Sequence, residues 1–263
     1  MPCDEDACSP ALLADPQRSA LTSAAAPRTC LVVFARAPRV GAVKTRLVQP
    51  PRLSAEAVCA LYRAFLRDCC AVGQGSEIPL RRLYVAPPRG DDEAEAALQA
   101  LAAEHGFALR SQEGGDLGAR MARALQTELA GAEQVLLIGS DTPHLSAAHL
   151  QAAARLLIEG AEVVLGPALD GGYWLVGAAR RFGGVDALFA PGIAWGGDQV
   201  LRESLARLAA VQARVALLPQ LFDVDTPADL ERLVDLLRRE PLGEDGAPRA
   251  VHTAAALRGL LGG

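Results

Sequence analysis

Lysine is nearly missing from this sequence: Lys44 stands alone against twenty-five arginines. In a chain this biased toward guanidinium, a retained ammonium marks a place where a compact, mobile charge suits better than a planar fork. No apolar run reaches the length of a membrane span, so no spanning helix is expected. The six cysteines, Cys3, Cys8, Cys30, Cys59, Cys69 and Cys70, form no CxxC pairs and are too sparse for a small secreted disulfide scaffold. The opening MPCDEDACSP lacks the basic and apolar regions of a signal peptide, so a cytoplasmic protein with reduced thiols is expected. A net charge of −5 and a pI near 5.5 argue against a dedicated nucleic-acid binder. There is no internal repeat, and nothing sets an oligomeric state.

What is present suits a soluble globular protein with a sizeable core: 263 residues, 51% hydrophobic and 22% charged. Residues 1–28 are rich in Ala, Ser, Pro and Asp without periodicity and are expected to form a disordered extension. Residues 29–240 read as one domain, and 241–263 as a flexible tail with a possible short helix from Val251 to Leu261.

A local absence is more telling than any global one. Between Arg28 and Arg52 there is no Asp or Glu, although Arg28, Arg36, Arg39, Lys44, Arg46 and Arg52 all fall there. The run LVVFA has the length and residue types of a buried strand, and Pro38 and Gly41 punctuate the loop after it. A basic loop leaving a strand end is where open α/β sheets bind ligands, and its backbone N–H groups, Lys and Arg suit phosphates. The plain alternative is a solvated basic turn.

Strand-like and helix-like segments alternate from 31 to 240. Strands are expected at Leu31–Ala35, Arg82–Ala86, Val135–Ile138, Glu162–Gly166, Tyr173–Gly177 and Arg214–Leu218, with helices between most of them. Ser54, Asp116, Ser146 and Thr226 are expected helix caps; Thr226 is followed by Pro227 at the first helical position and Asp229 at the third. Such alternation predicts an α/β three-layer sandwich, a mostly parallel sheet with helices on both faces. The unbroken apolar runs LVVF and VLLI suit its central strands.

Three charged clusters fall at strand ends: the basic loop, Asp141 after VLLIGS, and Asp223 with Asp225 before the last helix of the domain. Strand ends converge on one edge, and two carboxylates plus phosphate oxygens are what Mg²⁺ usually takes. The pattern therefore reads as a metal–diphosphate site, although each Asp alone also suits a turn or a helix start. Asp170, Gly171, Gly172, Tyr173 and Trp174 form a second candidate wall, where two glycines permit close approach and aromatics offer a face; a hairpin corner with core aromatics reads nearly as well. Trp195 and Asp198 invite the same two readings, and Asp170 or Asp198 is a candidate base toward an acceptor hydroxyl. His105, His144, His149 and His252 have no ligand spacing; only His144 lies near the site, and surface placement is expected.

The ordered set FARAPRVGAVKTRL, GDLGARM, LLIGSDTPHL, LGPALDGGYWLVG, IAWGGDQVL and LFDVDTPADL, covering about residues 30–240, resembles a bacterial family of glycosyltransferase-A-like nucleotide-diphospho-sugar transferases, including members linked to arsenosugar biosynthesis. It is similar also to phospholactate guanylyltransferases and other small nucleotidyltransferases. The resemblance implies that fold, with Lys44, Thr45, Arg46 and Leu47 matching a phosphate-binding segment and Ala35, Arg36 and Gly41 belonging to the same nucleotide loop. It implies metal-binding aspartates at Asp141 and Asp225, the latter fitting better than Asp223, and a nucleotide pocket shaped by Gly115, Asp116 and Gly118. A strict Asp-X-Asp is missing at Ser140–Thr142, which leans toward nucleotidyltransferases.

The leading expectation is a Mg²⁺- or Mn²⁺-dependent enzyme that binds a nucleotide-diphospho-sugar and moves the glycosyl group to a small-molecule acceptor, with Lys44, Asp141 and Asp225 central to catalysis. The alternatives are a nucleotidyltransferase, joining a nucleoside triphosphate to a phosphorylated small molecule with release of pyrophosphate, and a non-catalytic nucleotide-binding module.

Overall fold

The computed structural model describes residues 28–50, 53–86, 92–243 and 245–261. The extension expected over 1–28 lies, Arg28 apart, outside the described residues, as do Cys3, Cys8 and Arg52. The described cysteines, Cys30, Cys59, Cys69 and Cys70, are free and buried.

Seven strands form one sheet: β1 (Thr29–Ala35), β2 (Leu80–Val85), β3 (Ala108–Ser111), β4 (Gln134–Ile138), β5 (Val163–Pro167), β6 (Tyr173–Ala179) and β7 (Val215–Leu217), in the spatial order β3-β2-β1-β4-β6-β5-β7. Every pairing is parallel except the two made by β6. The helices are α1 (Ala55–Gly75), α2 (Asp92–Glu104), α3 (Leu117–Leu129), α4 (Ala147–Ile158), α5 (Val185–Leu188), α6 (Val200–Ala210), α7 (Pro227–Arg239) and α8 (Val251–Leu261). The mostly parallel three-layer α/β architecture expected from the alternation is what the chain builds.

β1 is buried along its whole length. Its alternate residues serve two cores: Leu31, Val33 and Ala35 pack with Phe65, Leu98, Leu150 and Leu233, whereas Cys30, Val32 and Phe34 pack with Leu125, Val185 and Leu208. Helices α1, α2, α4, α7 and α8 thus cover one face and α3, α5 and α6 the other. Local chemistry starts the helices where expected. Ser54 Oγ accepts from the Ala57 N–H at 3.2 Å, Asp116 Oδ1 from Ala119 at 2.8 Å, and Thr226 and Asp229 cap each other reciprocally.

Two features were not expected. Helix α5 is a single turn, too short to write a period into the sequence. His105, His144 and His149 are buried rather than at the surface. His149 is held by Ser146, whose Oγ lies 2.7 Å from its Nδ1, and His144 stacks on Phe222 at 4.2 Å. Beyond Glu240 the chain returns to the body: Asp68 of α1 accepts from the His252 and Thr253 N–H groups at 2.9 and 2.8 Å, capping α8. No helix among the described residues is long and apolar enough to cross a membrane.

From β1 the chain moves outward through β2 to β3, then returns to β4 on the other side of β1. This reversal is a topological switch point, and the loops that part there leave a crevice beyond the strand C-termini. Antiparallel β6 starts where β5 ends, so the corner at 168–172 sits on that same edge.

Candidate active site

Two loops meet at the switch point: 36–44 after β1 and 139–146 after β4. The Tyr62 hydroxyl of α1 joins them, accepting from the Arg36 N–H at 3.0 Å and lying 3.0 Å from Ser140 Oγ. Burial, followed by the Asp141 charge, raises the Tyr62 pKa and keeps its proton in place.

Lys44 ends the first loop in a left-handed conformation, φ 48° and ψ 37°, just before a 3₁₀ turn at Thr45–Leu47. Its Nζ lies 2.7 Å from Asp141 Oδ1 and 2.6 Å from Asp225 Oδ1; the lysine side chain is 6% exposed, the carboxylates 40% and 46%. Burial works most strongly against the charge, but Asp141 and then Asp225 outweigh it, so the ammonium's pKa sits above the usual lysine value. Arg36, Gly41 and Arg46 are exposed around it, and neither arginine makes an ion pair among the described residues.

Asp223 and Asp225 do not sit directly on a strand end. Strand β7 is at the far edge of the sheet, and the chain crosses back over the end of β5, where the Leu221 N–H donates to the Pro167 carbonyl at 3.1 Å, before the Val224 N–H donates to the Asp141 carbonyl at 2.8 Å. That last bond fastens the aspartate segment beside the loop of β4, and alternation along it sends Asp223 and Asp225 to different partners. Asp223 accepts from Thr142 Oγ1 at 2.6 Å. Burial, with the charges of Asp141 and Asp170 adding to it, pushes the Asp223 pKa up to about 7 against the bond from Thr142. Among the described residues no group of three or more His, Cys, Asp or Glu converges as a metal cluster.

The remaining expected residues form a second group along the rim. Ala35 is buried, and its carbonyl accepts from the Ala86 N–H and from Gln112 Nε2 at 3.0 and 3.1 Å. Buried Gln112 thereby ties the end of β1 to the glycine corner before α3. In that corner Gly115 and Asp116 are exposed, and Arg120 donates to the carbonyls of Gly114 and Gly115. Gly118 is buried because the Trp195 indole lies on it, so close that a Cβ there would come within 2.2 Å of Nε1. Trp195 also stacks on Phe189 at 5.7 Å. Gly171, at φ 89°, lies against the Asp198 backbone, where a Cβ would meet the carbonyl oxygen at 2.1 Å. Asp170 Oδ1 accepts from the Gly172 N–H at 2.9 Å. Trp195 and Asp198 thus link the α3 corner to the corner at 168–172. Tyr173 turns into the second core instead of opening onto this rim, and Trp174 is buried on the opposite face, its Nε1 donating to the Pro219 carbonyl.

Neither Tyr62 nor Gln112 is among the candidate residues that the sequence marks. Both act through long-range polar contacts, which leave no periodic trace.

Residues 74–197 match the family model described as an uncharacterized protein conserved in bacteria, DUF2064. The comparison with curated proteins found no match. Among solved structures, a Desulfovibrio desulfuricans protein provisionally designated a nucleotide-diphospho-sugar transferase is 28% identical, with a TM-score of 0.74 over 89% of this chain and 97% of that one. A cytidylyltransferase from Leptospira borgpetersenii is 11% identical, with a TM-score of 0.55 over 90% of this chain and 96% of that one. A 4-diphosphocytidyl-2C-methyl-D-erythritol synthase from Anaerococcus prevotii is 10% identical, with a TM-score of 0.53 over 80% and 97%. The chain therefore has the glycosyltransferase-A-like fold that nucleotide-diphospho-sugar transferases share with nucleotidyltransferases.

Proposed function

We propose that the protein is a transferase acting on a nucleotide-linked substrate, with glycosyl transfer from a nucleotide-diphospho-sugar to a small-molecule acceptor as the leading reaction. The observation that carries this reading is the convergence of Lys44, Asp141 and Asp225 at the switch point of the sheet. The Desulfovibrio protein, 28% identical to this chain, carries the matching provisional designation.

In this reading Lys44, Arg36 and Arg46 neutralise the diphosphate, and the glycine corner before α3, exposed at Gly115 and Asp116, borders the nucleotide. A cleft of about 130 Å³ at the ends of β1, β2 and β3, walled by Ala37, Val85, Leu98 and Leu109 together with Glu95, Arg110 and Ser111, offers a mixed apolar and polar surface for a base. Asp141 and Asp225 fit a divalent ion. Both carboxylates are half exposed, they face one another across a single cation, and Mg²⁺ takes one or two carboxylates with substrate phosphates completing its shell. Mg²⁺ or Mn²⁺ bound there supplies Lewis-acid stabilisation of a leaving diphosphate. Asp170 and Asp198 border the acceptor side, where either is placed to orient or deprotonate a hydroxyl. The buried thiols suit the cytoplasm, where we locate the protein.

Nucleotidyl transfer is the second reading, favoured by one observation. Asp141 is flanked by Ser140 and Thr142, which are bonded to Tyr62 and Asp223, so the loop after β4 presents one carboxylate instead of an Asp-X-Asp pair. In that reaction a phosphorylated acceptor attacks the α-phosphorus and pyrophosphate leaves.

Calorimetry against nucleotide-sugars and nucleoside triphosphates, with and without Mg²⁺ or Mn²⁺, tests both readings. An arsenic-containing acceptor, suggested by the resemblance to arsenosugar-linked members, belongs in the activity assays. Metal-dependent binding of a nucleotide-sugar, lost in Asp141→Ala and Lys44→Ala, is expected. Preference for a triphosphate, with pyrophosphate released on adding a phosphorylated acceptor, replaces glycosyl with nucleotidyl transfer. Binding that survives both substitutions rejects the site.

A further inference from the structure

The same two carboxylates that fit a metal are already occupied by the protein's own cation. Lys44 Nζ sits 2.7 and 2.6 Å from Asp141 Oδ1 and Asp225 Oδ1. Mg²⁺ bound through those oxygens would lie about 2.1 Å from each, in nearly the space the ammonium fills. Two cations of total charge +3 do not share that space. Metal entry therefore requires Lys44 to leave.

Leaving is costly unless something receives the lysine. Its side chain is almost wholly buried, and stripping a desolvated ammonium of its carboxylates leaves a charge without compensation. The ammonium also holds the segment at 222–225 against the loop at 139–146, countering repulsion between the two aspartates. Its backbone is left-handed, a conformation that non-glycine residues keep only where the surroundings enforce it. A diphosphate arriving in the basic loop changes this balance, because its oxygens accept the ammonium while the metal takes over the carboxylates.

We propose that Lys44 is a resident counter-ion that closes the metal position of the ligand-free protein, so that a divalent ion enters only together with a diphosphate-bearing ligand. This ordering rests on the metal–diphosphate reading above and adds to it. It makes occupancy of the metal position conditional on the nucleotide, because Lys44 is exchanged between two anionic sites.

Because Lys44 is the only lysine, labelling the full chain with 15N-lysine gives one side-chain ammonium resonance. Millimolar Mg²⁺ alone is expected to leave that resonance in place, and Mg²⁺ with inorganic pyrophosphate to move it. A parallel Mn²⁺ titration by calorimetry compares wild type with Lys44→Met. The variant is expected to bind Mn²⁺ about ten- to a hundredfold more tightly than wild type when no phosphate is present. If Mg²⁺ alone moves the resonance as far as Mg²⁺ with pyrophosphate, or Lys44→Met binds Mn²⁺ no better than wild type, the counter-ion proposal is overturned while the metal–diphosphate site stands. If no combination of metal with pyrophosphate, nucleoside diphosphates or triphosphates moves the resonance, the site reading itself fails. The wild-type spectrum decides even if Lys44→Met does not fold.

Discussion

Two ionic clusters lie at the sheet, and they differ in what they leave unsatisfied. On the α3 face, Glu128 accepts from the Tyr84 hydroxyl at 2.9 Å, receives the Cys30 thiol at 3.6 Å and pairs with Arg82 at 3.2 Å. One anion meets one cation, two neutral donors complete the shell, and only 10% of the Glu128 side chain is exposed. Burial first, then Glu128, pushes the Cys30 pKa up to about 12, which keeps the thiol protonated and unreactive. At the switch point one ammonium faces two carboxylates, each about two-fifths or more exposed, so a negative excess and free lone pairs point outward. Burial alone does not separate structure from function here. The open valence does.

The largest expected effects break this contrast directly. Lys44→Ala should weaken binding of nucleotide phosphates by roughly 2–4 kcal/mol, on the order of a hundredfold, because it removes a charged partner from a largely desolvated site. Calorimetry checks it, and the unfolding midpoint should move less than in the next variant. Glu128→Gln should do the reverse: about 3 kcal/mol of stability lost in urea denaturation, since Arg82 is left without its anion, with phosphate binding close to wild type. If Glu128→Gln abolished binding while leaving the urea midpoint untouched, the two clusters would have exchanged roles.

Smaller effects sharpen the boundary between the ion cluster and its rim. Gly171→Ala should cost about 2 kcal/mol by overpacking against the Asp198 backbone, and thermal unfolding should report it. Its effect on acceptor use should exceed its effect on nucleotide affinity, because Gly171 lies on the 168–172 corner and not in the Lys44 cluster. Tyr62→Phe should cost about 1 kcal/mol and weaken nucleotide binding several-fold, because the hydrogen bonds between the loops after β1 and β4 are lost while the ring stays packed.

The last prediction concerns pH. His144 is held neutral, its pKa lowered from 6.5 to about 3 by burial and then by the nearby Arg249 charge. Between those values the unfolded chain binds more protons than the folded one, so stability present above the unfolded pKa is lost as pH falls. Urea midpoints at about pH 7 and about pH 4.5 should therefore differ less in His144→Phe, which keeps a ring on Phe222, than in wild type. An equal difference in both would remove His144 as a source of acid sensitivity.

Much of the scaffold was legible in advance because its causes are local. The runs LVVF and VLLI became the adjacent central strands β1 and β4, and Ser54, Asp116 and Thr226 with Asp229 became caps because a cap is made by residues three apart. The site was legible only in part. The charge inversion around Lys44 and the aspartates near strand ends marked the pieces. Nothing in the spacing of Asp141 and Asp225 said that they would share one ammonium. The buried histidines were misjudged because their partners, Phe222 for His144 and Ser146 for His149, are matters of packing and rotamer as much as of sequence.

The sequence by itself determined the alternating α/β architecture, the central strands, the helix starts and an anion-seeking loop with a single lysine, since these follow from periodicity, capping chemistry and charge. Tertiary structure alone decided that β6 inserts between β4 and β5, that the chain after β7 crosses back to fasten Asp225 beside Asp141, that Trp195 closes on Gly118, and that Lys44 fills the gap between two carboxylates. Each is a contact between distant segments, set by the order of strands in the sheet, and no short-range pattern encodes that order.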